Sequence, residues 1–419
     1  MVGACDFRCI EQRGFSEGAG RVTIGMRKSL QETVDSDSLA VTKKEVREFQ
    51  NVTKKLMRKN CVLSIIAALA AGFAVTSANA AAITPGDLVI YRVGDGSSAL
   101  GTTATAVFLD EYTPLGSLVQ SIVSPTTGVA AMTAGGNATT EGIISRSQDG
   151  NSLVFGGYRA NVAAANPGAA APGTVNRVIG TLNASGTLNT SIAVTDANGA
   201  MRSATTVDGS TYYISGASNV RYVGTPSGAS TSTVIDARNS RQVNLSGNTV
   251  FAANGSTAIT GKVQHYGTLP TGLTAATPVV SLATTDAVNG FALFDLNAGV
   301  AGDDTLYALS TVENLLRKYT FDGISWTASG SVAANSALNL AGYASGSTVN
   351  LYLTSSSTLF NFADASGYNA AINPGSFTTL ATASANTGFR GIGLLVPEPT
   401  SLCLVAIGAG VALIRRRKV

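Results

Sequence analysis

Three observations predict an all-β body. Between residues 81 and 395, short runs of alternating apolar residues are separated by Gly, Asn, Asp and Ser, the pattern of strands joined by tight turns. No long stretch there carries the 3.6-residue period of an amphipathic helix. A strand–turn–strand unit recurs as IISRSQDGNSLVFGGY, ATTVDGSTYYISG, VNLSGNTVFAANG, FALFDLNAGVAGDDTLYALS and LAGYASGSTVNLYLTS. In each unit a strand enters a turn built on Asp-Gly, Ser-Gly or Gly-Asp, residues that reverse a chain at little steric cost. A second strand then follows a small or hydroxyl residue.

That small residue serves as a marker. It falls at Ser152, Thr211, Thr249, Thr305 and Thr348, with separations of 59, 38, 56 and 43 and a mean of 49 residues. A repeat of roughly 40 to 50 residues with three or four short strands is the size of one propeller blade. Residues 81–395 therefore predict a β-propeller of six or seven blades. A third strand with a basic or aromatic edge follows in VRYVG at Val220, KVQHYG at Lys262, LLRKYTF at Leu315 and TLFNFAD at Thr358. The opening PGDLVIYRVGDG resembles a second strand and the closing GFRGIGLLV a first strand. Their pairing would close the ring and remove its open edge. The uneven spacing also leaves a β-sandwich or an elongated β-solenoid as alternatives. The segment Asn161 to Thr174, NVAAANPGAAAPGT, has no strand pattern and reads as a flexible surface loop within the body.

The ends are of another kind. Residues 1–56 are polar and charged without apolar periodicity, and are expected to be a disordered extension ahead of the true start at Met57. An unusually long n-region is the alternative. Met57, Arg58 and Lys59 form a charged n-region, Cys61 to Val75 an apolar core, and Ala78-Asn79-Ala80 an Ala-x-Ala cleavage site that would leave Ala81 at the mature end. Residues 57–80 thus read as a Sec signal peptide, delivered through the Sec translocon. Cys61 precedes the apolar core rather than following it, which sets aside a lipoprotein. All four cysteines, Cys5, Cys9, Cys61 and Cys403, lie outside the body, so the body can form neither a disulfide nor a thiolate metal site.

At the other end, Val396, Pro397, Glu398 and Pro399 precede 14 uncharged residues, Ser401 to Ile414, and then Arg415, Arg416, Arg417 and Lys418. As a helix, a segment of that length covers about 21 Å, short of a hydrocarbon core of about 30 Å. Such a span suits a temporary stop, with the cations held on the cytoplasmic side. The two prolines hold the chain extended and present Glu398 just outside the membrane. In order and position these parts resemble the PEP-CTERM sorting signal of Gram-negative bacteria that make exopolysaccharide. The resemblance covers residues 396–419 and implies an exosortase that recognises Pro-Glu-Pro and removes the tail. The body, in turn, is similar to the propeller-like proteins that carry this signal. An ordinary single-span anchor is the alternative, and it too places the body outside the cytoplasm.

Inside the body, chemistry is sparse. The chain has 28 basic and 25 acidic residues, but only 12 and 16 of them lie between Ala81 and Val396, a net charge near −4 that provides no basic stripe for nucleic acid. His265 is the only histidine and lies in a strand whose alternation puts Lys262 and Gln264 outward and Val263 inward; it reads as a half-buried side chain bonded to backbone. One histidine and no cysteine cannot assemble a zinc site. Asp303 and Asp304, with Asp286 and Asp295 upstream, are of the type calcium prefers. They lack calcium-loop spacing, and turn chemistry is the plainer account. Trp326 could stack on a sugar ring, or, like other strand aromatics, pack between blades. No catalytic or cofactor set emerges. The sequence therefore predicts a non-enzymatic, exported cell-surface or matrix protein, tethered briefly at the inner membrane and active in binding or structure within an exopolysaccharide or biofilm layer. The alternative is a propeller-fold polysaccharide hydrolase or lyase, marked by two or more acids at the mouth of a central channel.

Overall fold

The computed structural model describes residues 80–395. The extension at 1–56, the signal segment through Asn79 with Ala78, the motif Val396, Pro397, Glu398 and Pro399, the apolar tail and the cations Arg415, Arg416, Arg417 and Lys418 lie outside the described residues. Among the described residues the chain is all-β, its one helical element being a 3₁₀ turn at Gly128–Ala130, and no helix is long and apolar enough to cross a membrane.

The chain opens with β1 (Leu88–Val93), β2 (Ala104–Tyr112) and β3 (Leu118–Val123). Then come β4 (Thr133–Gly135), β5 (Ser145–Arg146), β6 (Ser152–Tyr158), β7 (Arg177–Asn183) and β8 (Leu188–Val194). Four antiparallel meanders follow. The first holds β9 (Met201–Thr206), β10 (Tyr212–Gly216), β11 (Val220–Val223) and β12 (Thr233–Asp236). The second holds β13 (Ser240–Ser246), β14 (Thr249–Asn254), β15 (Gly261–Thr268) and β16 (Thr277–Ser281). The third holds β17 (Val288–Phe294), β18 (Thr305–Ser310), β19 (Leu315–Phe321) and β20 (Trp326–Ala333). The fourth holds β21 (Asn339–Ser345), β22 (Thr348–Thr354), β23 (Thr358–Asp364) and β24 (Thr378–Thr382), after which β25 (Gly388–Leu394) ends the body. The nine-stranded sheet at the start contains two more four-stranded runs, β25-β1-β2-β3 and β5-β6-β7-β8, joined through β4. The last strand thus pairs with the first, Leu88 opposite Leu394 and Val93 opposite Gly388.

Turn chemistry accounts for the strand boundaries. The marker residues Ser152, Thr249, Thr305 and Thr348 each begin the second strand of a meander, and Thr211 stands just before β10. A two-residue turn joins Ser246 to Thr249, where Gly247 and Asn248 take φ of 52° and 64°. Two consecutive positive φ values define the primed turn whose twist matches antiparallel strands, and Gly-Asn tolerates it.

Six apolar clusters hold the body together, each shared between two neighbouring four-stranded runs. Val89, Tyr91 and Val107 meet Leu153, Phe155 and Val178. Val154 and Ile179 meet Ala204 and Ile214, and Tyr213 and Val220 meet Val243 and Val250. Val263 and Val280 meet Phe291 and Leu306, and Tyr307 and Leu316 meet Leu351 and Phe362. The sixth joins Tyr352 and Leu359 of the last meander to Leu88, Ile90 and Phe389 of the first sheet. Each sheet is therefore covered on both faces, which explains why strands such as TVNLYLT carry apolar residues on successive as well as alternate positions.

This double coverage corrects two expectations. Lys262 and Gln264 do not point outward; both are buried. Lys262 Nζ donates to the carbonyls of Ser256 (2.6 Å) and Thr284 (3.0 Å). It belongs to a series, for Arg177, Arg221 and Lys318 also lie buried on the third strands of their four-stranded runs. Each spends its donors on loop carbonyls, hydroxyls or a carboxylate, as a buried cation must. Nor is the Asn161 to Thr174 loop free. It exchanges backbone hydrogen bonds with Ala104 through Ala163 and Ala164, and Arg177 donates to the carbonyls of Gly168 and Ala170.

Arg390 performs a similar task for the closing strand. It is 2% exposed and donates from Nε to Ala138 O at 2.8 Å and from Nη2 to Gly136 O at 2.7 Å, tying β25 to the segment after β4. Replacing this fork by a single ammonium in Arg390→Lys leaves at least one buried carbonyl unpaired and costs about 2 kcal/mol, read from denaturant unfolding. An unchanged midpoint would show that the fork is dispensable.

Candidate functional site

Five strands converge on a cavity of about 340 Å³: β5 and β25, both of the nine-stranded sheet, and β13, β17 and β21, each the first of its meander. Its polar lining is made of Ser145, Ser147, Gln148, Gln242, Asn244 and Ser246, with Arg146 and one carboxylate, Asp303; the remainder is apolar, including Phe291, Leu340 and Ile392. Several of the polar groups are committed to the scaffold. Ser145 Oγ donates to Val243 O (2.7 Å), and Gln242 Oε1 accepts from Phe291 N (2.7 Å). Gln148 exchanges hydrogen bonds with the Asn248 amide side chain and backbone N. Among the described residues this lining sets no nucleophile beside a base and no second acid beside Asp303.

A second, larger recess of about 840 Å³ lies between the β13–β16 and β17–β20 meanders. Ser246, Gly247 and Asp303 line both, so Asp303 stands where the two meet. The recess has aromatic walls. Phe251 and His265 face each other across β14 and β15 with ring centroids 5.8 Å apart. Phe321 and Trp326, paired across β19 and β20, are stacked at 5.2 Å with planes 29° apart. Trp326 is half-buried on this wall, whereas Phe251 with Phe291 makes an aromatic contact between sheets and Tyr91 with Phe155 one between the two runs of the nine-stranded sheet.

His265 shares the orientation of Val263 and is half-buried, but it is not held by backbone: its Nδ1 is buried without a hydrogen-bond partner. Burial lowers its pKa from 6.5, so the ring is neutral at pH 7. Burial pushes the Asp303 carboxyl above its ordinary range, and the charges of Asp295 and Asp304 add to this, against a lowering hydrogen bond from Ser246 Oγ.

Of the other acids considered for calcium, Asp295 is exposed and Asp304 and Asp286 are committed to the scaffold. Asp304 accepts from Asn297 N (2.6 Å), Leu296 N (3.1 Å) and Thr305 Oγ1 (2.8 Å), fastening the β17–β18 connection. Asp286 accepts from Ser310 Oγ (2.5 Å) and Val312 N (3.1 Å). Among the described residues no three His, Cys, Asp or Glu side chains are grouped to hold a metal ion. Of the residues at the expected cleavage site, Ala80 packs against the first apolar cluster. Ala81 is exposed, and its backbone N and O are held by the Gln120 side chain at 3.0 and 2.9 Å. The sorting residues cannot be placed relative to either cavity, since they lie outside the described residues.

No known protein family matches the chain, and no curated protein does. Solved structures resemble it distantly. A candidate 6-phosphogluconolactonase from Bacteroides uniformis is 13% identical with a TM-score of 0.40, covering 71% of this chain and 82% of its own. A second from Bacteroides fragilis is 11% identical with a TM-score of 0.41 and the same coverage. A chain of a nidogen–laminin complex is 10% identical with a TM-score of 0.43, covering 73% of this chain and 97% of its own. At these values the likenesses assign neither activity nor ligand.

Proposed function

We propose that the protein is a non-enzymatic, exported surface or matrix protein. Its body is a closed six-bladed β-propeller, with a role in binding or structure within an exopolysaccharide layer. Six four-stranded runs, six shared apolar clusters and the β1–β25 pairing support the ring. On this reading the 340 Å³ cavity is the mouth of the axial channel. The observation that carries the functional choice is its lining, in which one carboxylate, Asp303, stands among serines, amides and apolar groups. A hydrolase or lyase of the two-acid type needs a second carboxyl about 5 to 10 Å away.

Sec export and exosortase sorting rest on the two terminal motifs. Pairing of the first and last strands supports them, because it puts Leu395 and Ala80 in one apolar cluster and lets both processed ends leave from one region of the body. The test is the mass of the released protein made in hosts with and without an exosortase. The expected product begins at Ala81 and lacks the apolar tail only where the exosortase is present, and Glu398→Ala keeps the tail and stays with the membrane fraction. Full-length protein recovered from the cytosol with both ends intact would overturn the export reading.

A further inference from the structure

We propose that the recess between the β13–β16 and β17–β20 meanders binds a neutral glycan chain, one pyranose face stacking on the wall that contains Trp326. The proposal rests on the reading of the body as a binding module of an extracellular layer and names the ligand class that module takes.

Three features of the recess point to this class. First, its volume of about 840 Å³ matches a small-molecule or oligosaccharide site. Second, its walls combine aromatic surface with hydroxyls: Phe251, Phe321 and Trp326 lie alongside Thr249, Thr277 and Ser325. A sugar ring has the matching duality, with a C–H face for an aromatic ring and hydroxyls around its edge for hydrogen bonds. An unbroken apolar groove would select a peptide or lipid instead. Third, the charge of the lining excludes the acidic polysaccharides. Among the described residues no lysine or arginine lines the recess, and its one acid is the Asp303 carboxyl. A uronate or sulfate chain would bring negative charge against that carboxyl with no cation to pair with. His265 Nδ1, buried in the wall without a partner, is a further polar atom left unsatisfied by the protein.

The chain has a single tryptophan, so its emission reports on this recess directly. The full chain in mild detergent is titrated with cellohexaose, laminarihexaose, mannohexaose, hexa-N-acetylchitohexaose and hexagalacturonate, following tryptophan emission and heat. At least one neutral oligosaccharide is expected to shift the emission, and hexagalacturonate is not. Measured by heat, Trp326→Ala weakens that binding at least about tenfold, while Trp326→Phe stays within about threefold. Because Trp326 also packs against the neighbouring apolar cluster, a second variant is used. Thr277 is exposed on the rim, and Thr277→Arg obstructs the recess without entering the core, with the same tenfold loss expected. The proposal is overturned if no neutral oligosaccharide binds, if hexagalacturonate binds as tightly, or if folded Trp326→Ala and Thr277→Arg bind as well as the parent. Correctly processed termini together with such a result would discard the glycan site alone, and glycan binding by a chain that is never exported would discard the sorting reading alone.

Discussion

Gly391→Val is expected to cost about 3 kcal/mol or more and to leave the first sheet incompletely paired. A Cβ at this position would lie 2.2 Å from Gly142 O, 2.5 Å from Ile144 N and 2.9 Å from Ile143 Cα. All three are backbone atoms, which cannot rotate away as a side chain can. Gly391 N also donates to Gly142 O at 3.0 Å, so the segment 142–144 and β25 are in direct main-chain contact. Forcing them apart loosens β25 from its outer neighbours and strains its register with β1, where Ile392 faces Ile90 and Phe389 faces Arg92. The consequence should be early exposure of the chain ends, read as proteolytic nicking near residues 80–90 below the unfolding midpoint. Gly101→Ala is the control, since nothing lies within 4 Å of a Cβ there, and it should change stability by less than about 0.5 kcal/mol. If the two variants unfold alike, the closing strand contributes no more than a surface loop does.

The second large effect is expected at Lys318. Its Nζ lies 3.0 Å from Asp364 Oδ2, with both side chains fully buried, and it also donates to Ser366 Oγ (2.7 Å) and Gly367 O (2.6 Å). Tyr307 OH donates to the same carboxylate at 2.6 Å, so the cluster joins the β17–β20 and β21–β24 meanders. Lys318→Met strands a buried carboxylate and should cost about 3 to 5 kcal/mol, whereas Lys318→Met with Asp364→Leu should recover part of the loss, because no uncompensated charge remains. A single variant costing less than about 1 kcal/mol would contradict this account.

The same cluster sets an acid limb of stability. Burial raises the Asp364 pKa, but hydrogen bonds from Ser366, Tyr307 and the backbone of Ser366 and Asn373 outweigh it, holding the carboxyl below its ordinary value of 3.8. A depressed carboxyl favours folding above its unfolded pKa, and this contribution is lost as the pH falls from about 3.8 through the lower folded value. Glu141 has the opposite sign. Burial keeps its pKa above 4.5 despite hydrogen bonds from Tyr158 and Gly135 and the charges of Arg202 and Arg390, so its share of stability is greatest below 4.5 and declines as the pH rises through the higher folded value. Asp364→Asn should therefore flatten the acid limb, and Glu141→Gln should remove the decline above pH 4.5, in unfolding measured across pH 3 to 7.

Much of the architecture was legible because it is written in short-range chemistry. Turn residues placed the starts of β6, β14, β18 and β22, and Val220, Leu315 and Thr358 each begin a third strand where the repeat expected one. The likeness of the first and last segments to two strands of one hairpin anticipated the β1–β25 pairing. The inward turn of Lys262 and Gln264 was not legible. Alternation reports one wet face and one dry face, and these strands have two dry ones, since each side is covered. Half of the body's twelve basic side chains, Arg177, Arg202, Arg221, Lys262, Lys318 and Arg390, are buried, so a count of charges overstated its surface charge.

Strand type and turn positions in the body follow from residues within a few positions of one another, where sterics and hydrogen bonding act without help from the rest of the chain. The two cavities are different in kind. Phe251 and His265 come from one meander and Phe321 and Trp326 from the next, and Asp303 reaches Ser246 across 57 positions of sequence. No local pattern encodes such a meeting; it arises when one sheet packs against another, because burial of apolar area is indifferent to separation along the chain.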